Sequence, residues 1–172
     1  MLFRLKQKLD KIKLLALDFD GTLTVGAYVI FSQDGTESVV CSRRDSLGVN
    51  IVQQAGVTVV VISKETNPVV EARCIKMGIK CWHGVNTGDD KLQILQRYAG
   101  ELGLKSEEVC YGGDDVNDIL CLEWAGVGFT VADGHVLCQK QADYITKRNG
   151  GDGAVREICE LILQARGVRS AH

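Results

Sequence analysis

"LLALDFDGTLT", residues 14–24, sets an apolar run of the kind that builds a core strand directly against two acids separated by one aromatic. A carboxylate gives up water only at a cost, so Asp18 and Asp20 need a cation, a proton or open solvent. If the chain stays extended through Phe19, both acids project to one face while the ring turns into packing.

Outward from this stretch, short apolar runs alternate with helical patterns. Residues 12–17, 57–62, 79–82, 109–111, 127–131 and 144–145 read as strands, and residues 45–55, 68–77, 89–102, 116–124, 135–141 and 154–166 as helices, after a short leading helix. Asn67 caps the second of these helices, with Pro68 in its first turn. The alternation predicts an α/β fold: a doubly wound parallel sheet with helices on both faces, in one domain over residues 1–172. Gly56, Gly78, Gly103, Gly126 and Gly167 each follow a helical pattern, where a left-handed cap is expected. "AYVIFSQDGTESVVC", residues 27–41, breaks the alternation with two β-like runs around Asp34-Gly35, the signal of a hairpin flap after the first strand.

Composition narrows the function. A chain of 172 residues holds one domain with a sizeable core. With 45% hydrophobic residues, 24% charged and a net charge of -2, it has no basic excess, so nucleic acid is not the expected partner. Its apolar runs are too short to cross a membrane. The N-terminus lacks a secretory pattern, and the seven cysteines are odd in number without a CxxC pair. They indicate neither a disulfide framework nor a zinc site, and place the chain in a reducing cytoplasm.

In an open parallel sheet, ligands bind beyond the carboxyl ends of the strands. Asp18 and Asp20 follow the first expected strand, Ser63 the second, and Gly112-Gly113-Asp114-Asp115 a later one, while Lys91 opens a helix after "TGDD". Asp18, Asp20 and Asp114 together make a set of hard oxygen ligands suited to Mg²⁺. Ser63 and Lys91 add a hydroxyl donor and a fixed positive charge, as a bound phosphoryl group requires. Asp18 is then the nucleophile that forms an aspartyl-phosphate, and Asp20 the acid and base, with backbone amides near Phe19 and Gly21 stabilising the transferring group. Taken singly, each residue reads as a turn, a cap or a solvated side chain. Asp115, Asn117 and Asp118 read as helix initiators, His83 as packing or exposed surface ahead of a substrate contact, Cys110 and Cys121 as core, and Arg43 and Arg44 as solvated surface or an attraction for an anionic substrate. The joint occurrence in order, each at a strand end or helix start, outweighs those readings.

"DFDGT", Ser63, Lys91 and "GGDDVND" resemble the four motifs of the haloacid dehalogenase superfamily of aspartyl phosphatases. "RRDSLGV", "SKETNPVVEARC", "DDKL" and "GGDGAVREICELIL" are similar to its small capless branch, which dephosphorylates 2-keto-3-deoxy sugar acids. The resemblance runs from Ile12 to about Leu163. It implies substrate contacts at Gly21, Thr22, Arg44, Glu65 and Asp152, and a homotetramer in which the flap packs between subunits. It also implies that the segment from Gly150 covers a neighbour's site, and that some members associate with cytidylyltransferases. The acids at Glu65 and Asp152 lean toward nine-carbon substrates (KDN or N-acylneuraminate 9-phosphate), whereas Arg44 resembles the pattern for 3-deoxy-D-manno-octulosonate 8-phosphate. Val25 and the longer loop before Lys91 depart from the branch. Two other classes stand beside the enzyme: a non-catalytic assembly domain, disfavoured by the complete acid and lysine set, and a phospho-accepting receiver, in which the lysine comes last rather than between the acids.

Overall fold

The computed structural model describes residues 2–26 and 28–168. Ala27, expected to begin the flap, and residues 169–172, the end of the expected covering segment, lie outside it. The strands are β1 (Leu14–Leu17), β2 (Ile30–Phe31), β3 (Glu37–Ser38), β4 (Thr58–Ile62), β5 (Lys80–Trp82), β6 (Val109–Gly112), β7 (Val127–Thr130) and β8 (Tyr144–Ile145). The helices are α1 (Leu2–Asp10), α2 (Arg43–Gln54), α3 (Val69–Met77), α4 (Gly88–Glu101), α5 (Ile119–Trp124), α6 (Val136–Gln141) and α7 (Ala154–Ala165).

Six strands form one parallel sheet in the order β5-β4-β1-β6-β7-β8. The strand that carries the first acids is therefore central and fully buried. Its side chains alternate between two cores. Leu15 and Leu17 pack with Leu9, Val49, Val70 and Ile158, from α1, α2, α3 and α7. Leu14 and Ala16 pack with Leu95, Cys121 and Cys138, from α4, α5 and α6. The expected doubly wound sheet is thus present, with no separate cap domain among the described residues.

From β1 the chain winds outward through β4 and β5, then returns to lay β6 on the other flank of β1. That reversal is where an open α/β sheet parts its loops to admit a ligand. The register sets Leu17 opposite Val61 and Gly112, so β4, β1 and β6 end level with one another.

The flap forms as expected, with β2 and β3 antiparallel. Asp34 fixes its turn by accepting hydrogen bonds from the Thr36 amide and hydroxyl at 3.0 and 2.8 Å. Tyr28, Ile30 and Phe31 stand 80, 60 and 69% exposed, while Val39 and Cys41 at the base of the flap pack on the core.

Two expectations need correction. Gly126 is not left-handed, unlike Gly56, Gly78, Gly103 and Gly167; it is glycine because a Cβ there would lie 2.5 Å from Glu107 Cα. The helix expected over residues 116–124 is a 3₁₀ turn, Val116–Asp118, followed by α5. Asp115 accepts from the Val116 amide at 2.7 Å, and Asp118 turns inward instead of facing solvent from a first helical turn.

Candidate active site

Asp18 continues the ladder one residue beyond β1, its amide donating to Gly112 O at 2.8 Å. There the chain turns. Phe19, fully buried, anchors a tight loop by accepting at its carbonyl from the amides of Leu23 (2.8 Å) and Thr24 (3.1 Å). This turn is why the two acids part company: the extended path that would align Asp18 with Asp20 ends at Phe19.

The carboxylates that converge are those of Asp18, Asp114 and Asp118, with one oxygen of each within 4.8 Å of the others. Asp20, expected in the trio, is not among these three side chains. Asp118 takes the vacant place, yet its oxygens are already engaged. Oδ1 accepts from Lys91 Nζ at 2.8 Å and from the Tyr111 hydroxyl at 2.6 Å, and Oδ2 from the amides of Asp114 and Asp115 at 3.1 and 3.3 Å. Capacity for a cation therefore rests on Asp18 and Asp114.

Lys91, on the first turns of α4, is wholly buried. Its ammonium stands 2.9 Å from Asp18 Oδ1 and 2.8 Å from Asp118 Oδ1. Burial alone would lower its pKa, but these two carboxylates raise it well above the ordinary lysine value. Three carboxylates against one ammonium leave two negative charges in a dehydrated site. Burial first, then the charge of Asp118, push the Asp18 carboxyl far up. The same two causes raise Asp114 to about 7. A hard divalent cation held by Asp18 and Asp114 fits this excess.

Glycine makes the cluster possible. Gly21 has φ +72, and a Cβ on it would lie 2.0 Å from Asp114 Oδ2. Its amide is spent inside the loop on Gly26 O (3.1 Å) and Thr24 Oγ1 (3.0 Å), so the expected donation to a substrate is not available from it. Thr22 is likewise withdrawn: fully buried, it donates its hydroxyl to Asp114 Oδ1 at 3.4 Å. Thr22 thus shapes the site from within, while Gly21 borders the adjoining cleft.

Ser63 follows β4, the strand beside β1, and is buried; its Oγ accepts from the Glu65 amide at 3.1 Å, leaving its hydrogen free to donate. Glu65 folds back on its own loop, where Oε1 accepts from the amides of Thr66 and Asn67, each at 2.7 Å. Asn67 caps α3 as expected, accepting from the Val69 amide at 3.0 Å. Asp20 is half-buried, and burial, then the charge of Glu65, raise its carboxyl above the ordinary range against the pull of Lys91. A carboxyl shifted toward its protonated form suits a general acid. The loop after β5 braces Ser63, with the Val85 amide on Ser63 O at 3.1 Å, while His83 Nδ1 is buried without a hydrogen bond.

Beyond the cluster lie two adjoining clefts. One, of about 450 Å³, is lined by Gly21, Asp114, Asp133 and His135. The other, of about 730 Å³, holds Arg43, Arg44 and Asp152. Gly26, Tyr28 and Asp133 line both. Arg44 and Asp152 thus sit together, but apart from the carboxylates. The Gly150–Gly153 turn packs on the chain's own first loop: the Gly151 amide donates to Thr22 O at 3.0 Å, and a Cβ on Gly150 would lie 1.6 Å from Gly21 O.

The sequence reading missed Asp118, Asp133 and His135. The reciprocal capping of Asp115 and Asp118 was visible as a spacing of three, but its inward turn follows from Gly113, whose Cβ would lie 2.3 Å from Asp118 Cγ. Asp133 accepts from the Gly150 amide at 2.9 Å and His135 donates its amide to Asp114 O at 2.7 Å, contacts that no local pattern announces.

Comparison with known proteins agrees with this geometry. The family of haloacid dehalogenase-like hydrolases matches residues 44–158. The chain is 36% identical over 160 residues to 3-deoxy-D-manno-octulosonate 8-phosphate phosphatase of Escherichia coli K12, covering 93% of this chain and 84% of that protein. The crystal structure of 3-deoxy-D-manno-octulosonate 8-phosphate phosphatase from Moraxella catarrhalis, in complex with magnesium ion, phosphate ion and KDO, superposes with a TM-score of 0.91 at 34% identity, over 97% of this chain and 94% of that one. The cobalt-bound deoxy-D-mannose-octulosonate 8-phosphate phosphatase of Haemophilus influenzae gives 0.86 at 30%, over 94% and 92%. With the acid-lysine cluster at the ends of β1 and β6, these matches make the chain a member of the haloacid dehalogenase-like hydrolases.

Proposed function

We propose that this chain is a Mg²⁺-dependent phosphatase of 2-keto-3-deoxy sugar-acid phosphates that works through an aspartyl-phosphate. The observation that carries the reading is Lys91, fully buried and bridging Asp18 and Asp118 where three strands end. Relatives similar over most of their length are named as phosphatases of an eight-carbon member of that class, and one was crystallised with magnesium, phosphate and KDO.

With Asp18 Oδ1 held by Lys91, Oδ2 is the oxygen left to attack phosphorus. Asp20, its carboxyl raised above the ordinary range by burial and the charge of Glu65, gives its proton to the departing alkoxide and then takes one from the water that cleaves the acyl phosphate. Lys91 and the Ser63 hydroxyl face the charge that develops on the transferring group. A magnesium ion on Asp18 and Asp114 would neutralise phosphate charge during transfer.

The two clefts give room for a sugar acid with its phosphate at Asp18 and its carboxylate near Arg43 and Arg44. The eight-carbon acid is the first substrate to test. The nine-carbon acids are the second reading, favoured by Asp152 at the cleft and Glu65 beside Asp20. A homotetramer closed by the flap belongs to the same proposal and is supported by the exposed Tyr28, Ile30 and Phe31.

The test is phosphate release from eight-carbon and nine-carbon ulosonate phosphates side by side, with and without Mg²⁺. We expect metal-dependent turnover with kcat/KM at least about tenfold higher for one sugar acid than for a generic aryl phosphate. No release from either sugar acid in the presence of metal overturns the proposal.

A further inference from the structure

Tyr111 is completely buried, on the face of β6 that packs with Leu14, Ala16, Ile62, Leu95 and Cys121. Phenylalanine would fill that space without a hydroxyl to satisfy. The hydroxyl that tyrosine brings donates to Asp118 Oδ1 at 2.6 Å, the same oxygen that accepts from Lys91 Nζ at 2.8 Å. Lys91 Nζ stands in turn 2.9 Å from Asp18 Oδ1. An unbroken line of four polar atoms therefore runs from the core to the proposed nucleophile.

The other half of Asp118 is fixed, since Oδ2 is held by two backbone amides. Only the surroundings of Oδ1 can set how strongly Asp118 holds Lys91. A donor placed on that oxygen takes up part of its charge and loosens its hold on the ammonium. We infer that Tyr111 is a positioning residue for phosphoryl transfer: by sharing Asp118 Oδ1 with Lys91, it leaves the lysine charge directed at Asp18 and the group being transferred. This role rests on the phosphatase reading above. Tyr111 touches neither substrate nor metal; it acts through Asp118 and Lys91.

The experiment compares wild type, Tyr111→Phe and a packing control, Val60→Ala, which thins the same core without touching the polar line. All three are assayed with saturating Mg²⁺ on one aryl phosphate, at a temperature where circular dichroism shows each fully folded. For Tyr111→Phe we expect kcat to fall about tenfold with KM within about twofold, and the inhibition constant of orthovanadate, which mimics the transferring group, to rise in parallel while that of phosphate stays put. Val60→Ala should lose thermal stability and keep its kcat. Wild-type kcat and vanadate affinity in Tyr111→Phe overturn the inference while leaving the phosphatase reading intact. A silent wild-type enzyme sinks that reading itself, and this role with it.

Discussion

Gly21 and Asp114 meet so closely that a Cβ on the glycine would fall 2.0 Å from the Asp114 Oδ2 atom. The first loop and the end of β6 therefore fit only because one of them lacks a side chain. Gly21→Ala adds that atom at a position with φ +72, where an alanine is itself strained. The variant should lose magnesium affinity and turnover together, by at least about tenfold each, a shift readable by isothermal titration and a phosphate-release assay. Intact metal binding would show that Asp114 has other room.

Asp18→Asn separates chemistry from folding. The amide is as large as the carboxylate, yet it cannot attack phosphorus, and turnover should fall on the order of 10⁴-fold or more. Thermal unfolding of the metal-free variant should occur at a temperature equal to or above that of wild type. The folded state already presses Asp18 toward its neutral form through burial and the charge of Asp118, and the amide removes that conflict.

Lys91→Met has the opposite effect on stability. It leaves Asp18 and Asp118 facing one another without their shared cation, a loss of about 3–5 kcal/mol for a broken buried pair. Urea denaturation of the metal-free proteins reads this directly. Saturating Mg²⁺ should recover part of the deficit, because the ion replaces some of the missing positive charge.

Asp114 links protons to metal. Its carboxyl lies at about 7 in the metal-free protein, above the ordinary aspartate value near 4 of an unfolded chain. The folded form therefore holds the extra proton, and metal-free stability should rise as pH falls from about 7 toward about 4, where the unfolded chain also protonates. Magnesium must displace that proton, so its affinity should fall by up to about tenfold per pH unit below about 7. Titrations at pH 6 and pH 8 check both signs.

Asp45 joins the start of α2 to the start of α7, 111 residues away, by accepting from the amides of Arg156 (2.8 Å) and Gly153 (3.2 Å). Removing this cap with Asp45→Ala should cost about 1–2 kcal/mol. It should also weaken kcat/KM, since the Gly150–Gly153 turn that it steadies rests on the first loop. Asp45→Asn keeps one acceptor and sheds a buried charge, so its loss in the same unfolding measurement should be smaller.

What the sequence reveals of this molecule follows periodicity and end signals. The strand at 14–17, the Asn67 cap and the Asp34-Gly35 turn are local, and each is where its residues place it. Asp18, Lys91 and Asp114 were legible because each closes or opens such an element. The exchange of Asp20 for Asp118 in the carboxylate set was not, since it depends on a turn at Phe19 and on the space left by Gly113. Thr22 reads from sequence as a residue facing the ligand, but its neighbour 92 positions away claims its hydroxyl. Contacts at that separation leave no trace in a local pattern.

The placement of β1 between β4 and β6, under a loop roofed by Gly150 and Gly151, also orders events on the ribosome. The segment bearing Asp18 is made before both of its flanking strands and its roof, which follow only after dozens more residues have been added. The nascent chain therefore carries an unfinished central strand until residues 109–112 flank it and residues 150–151 close over its loop.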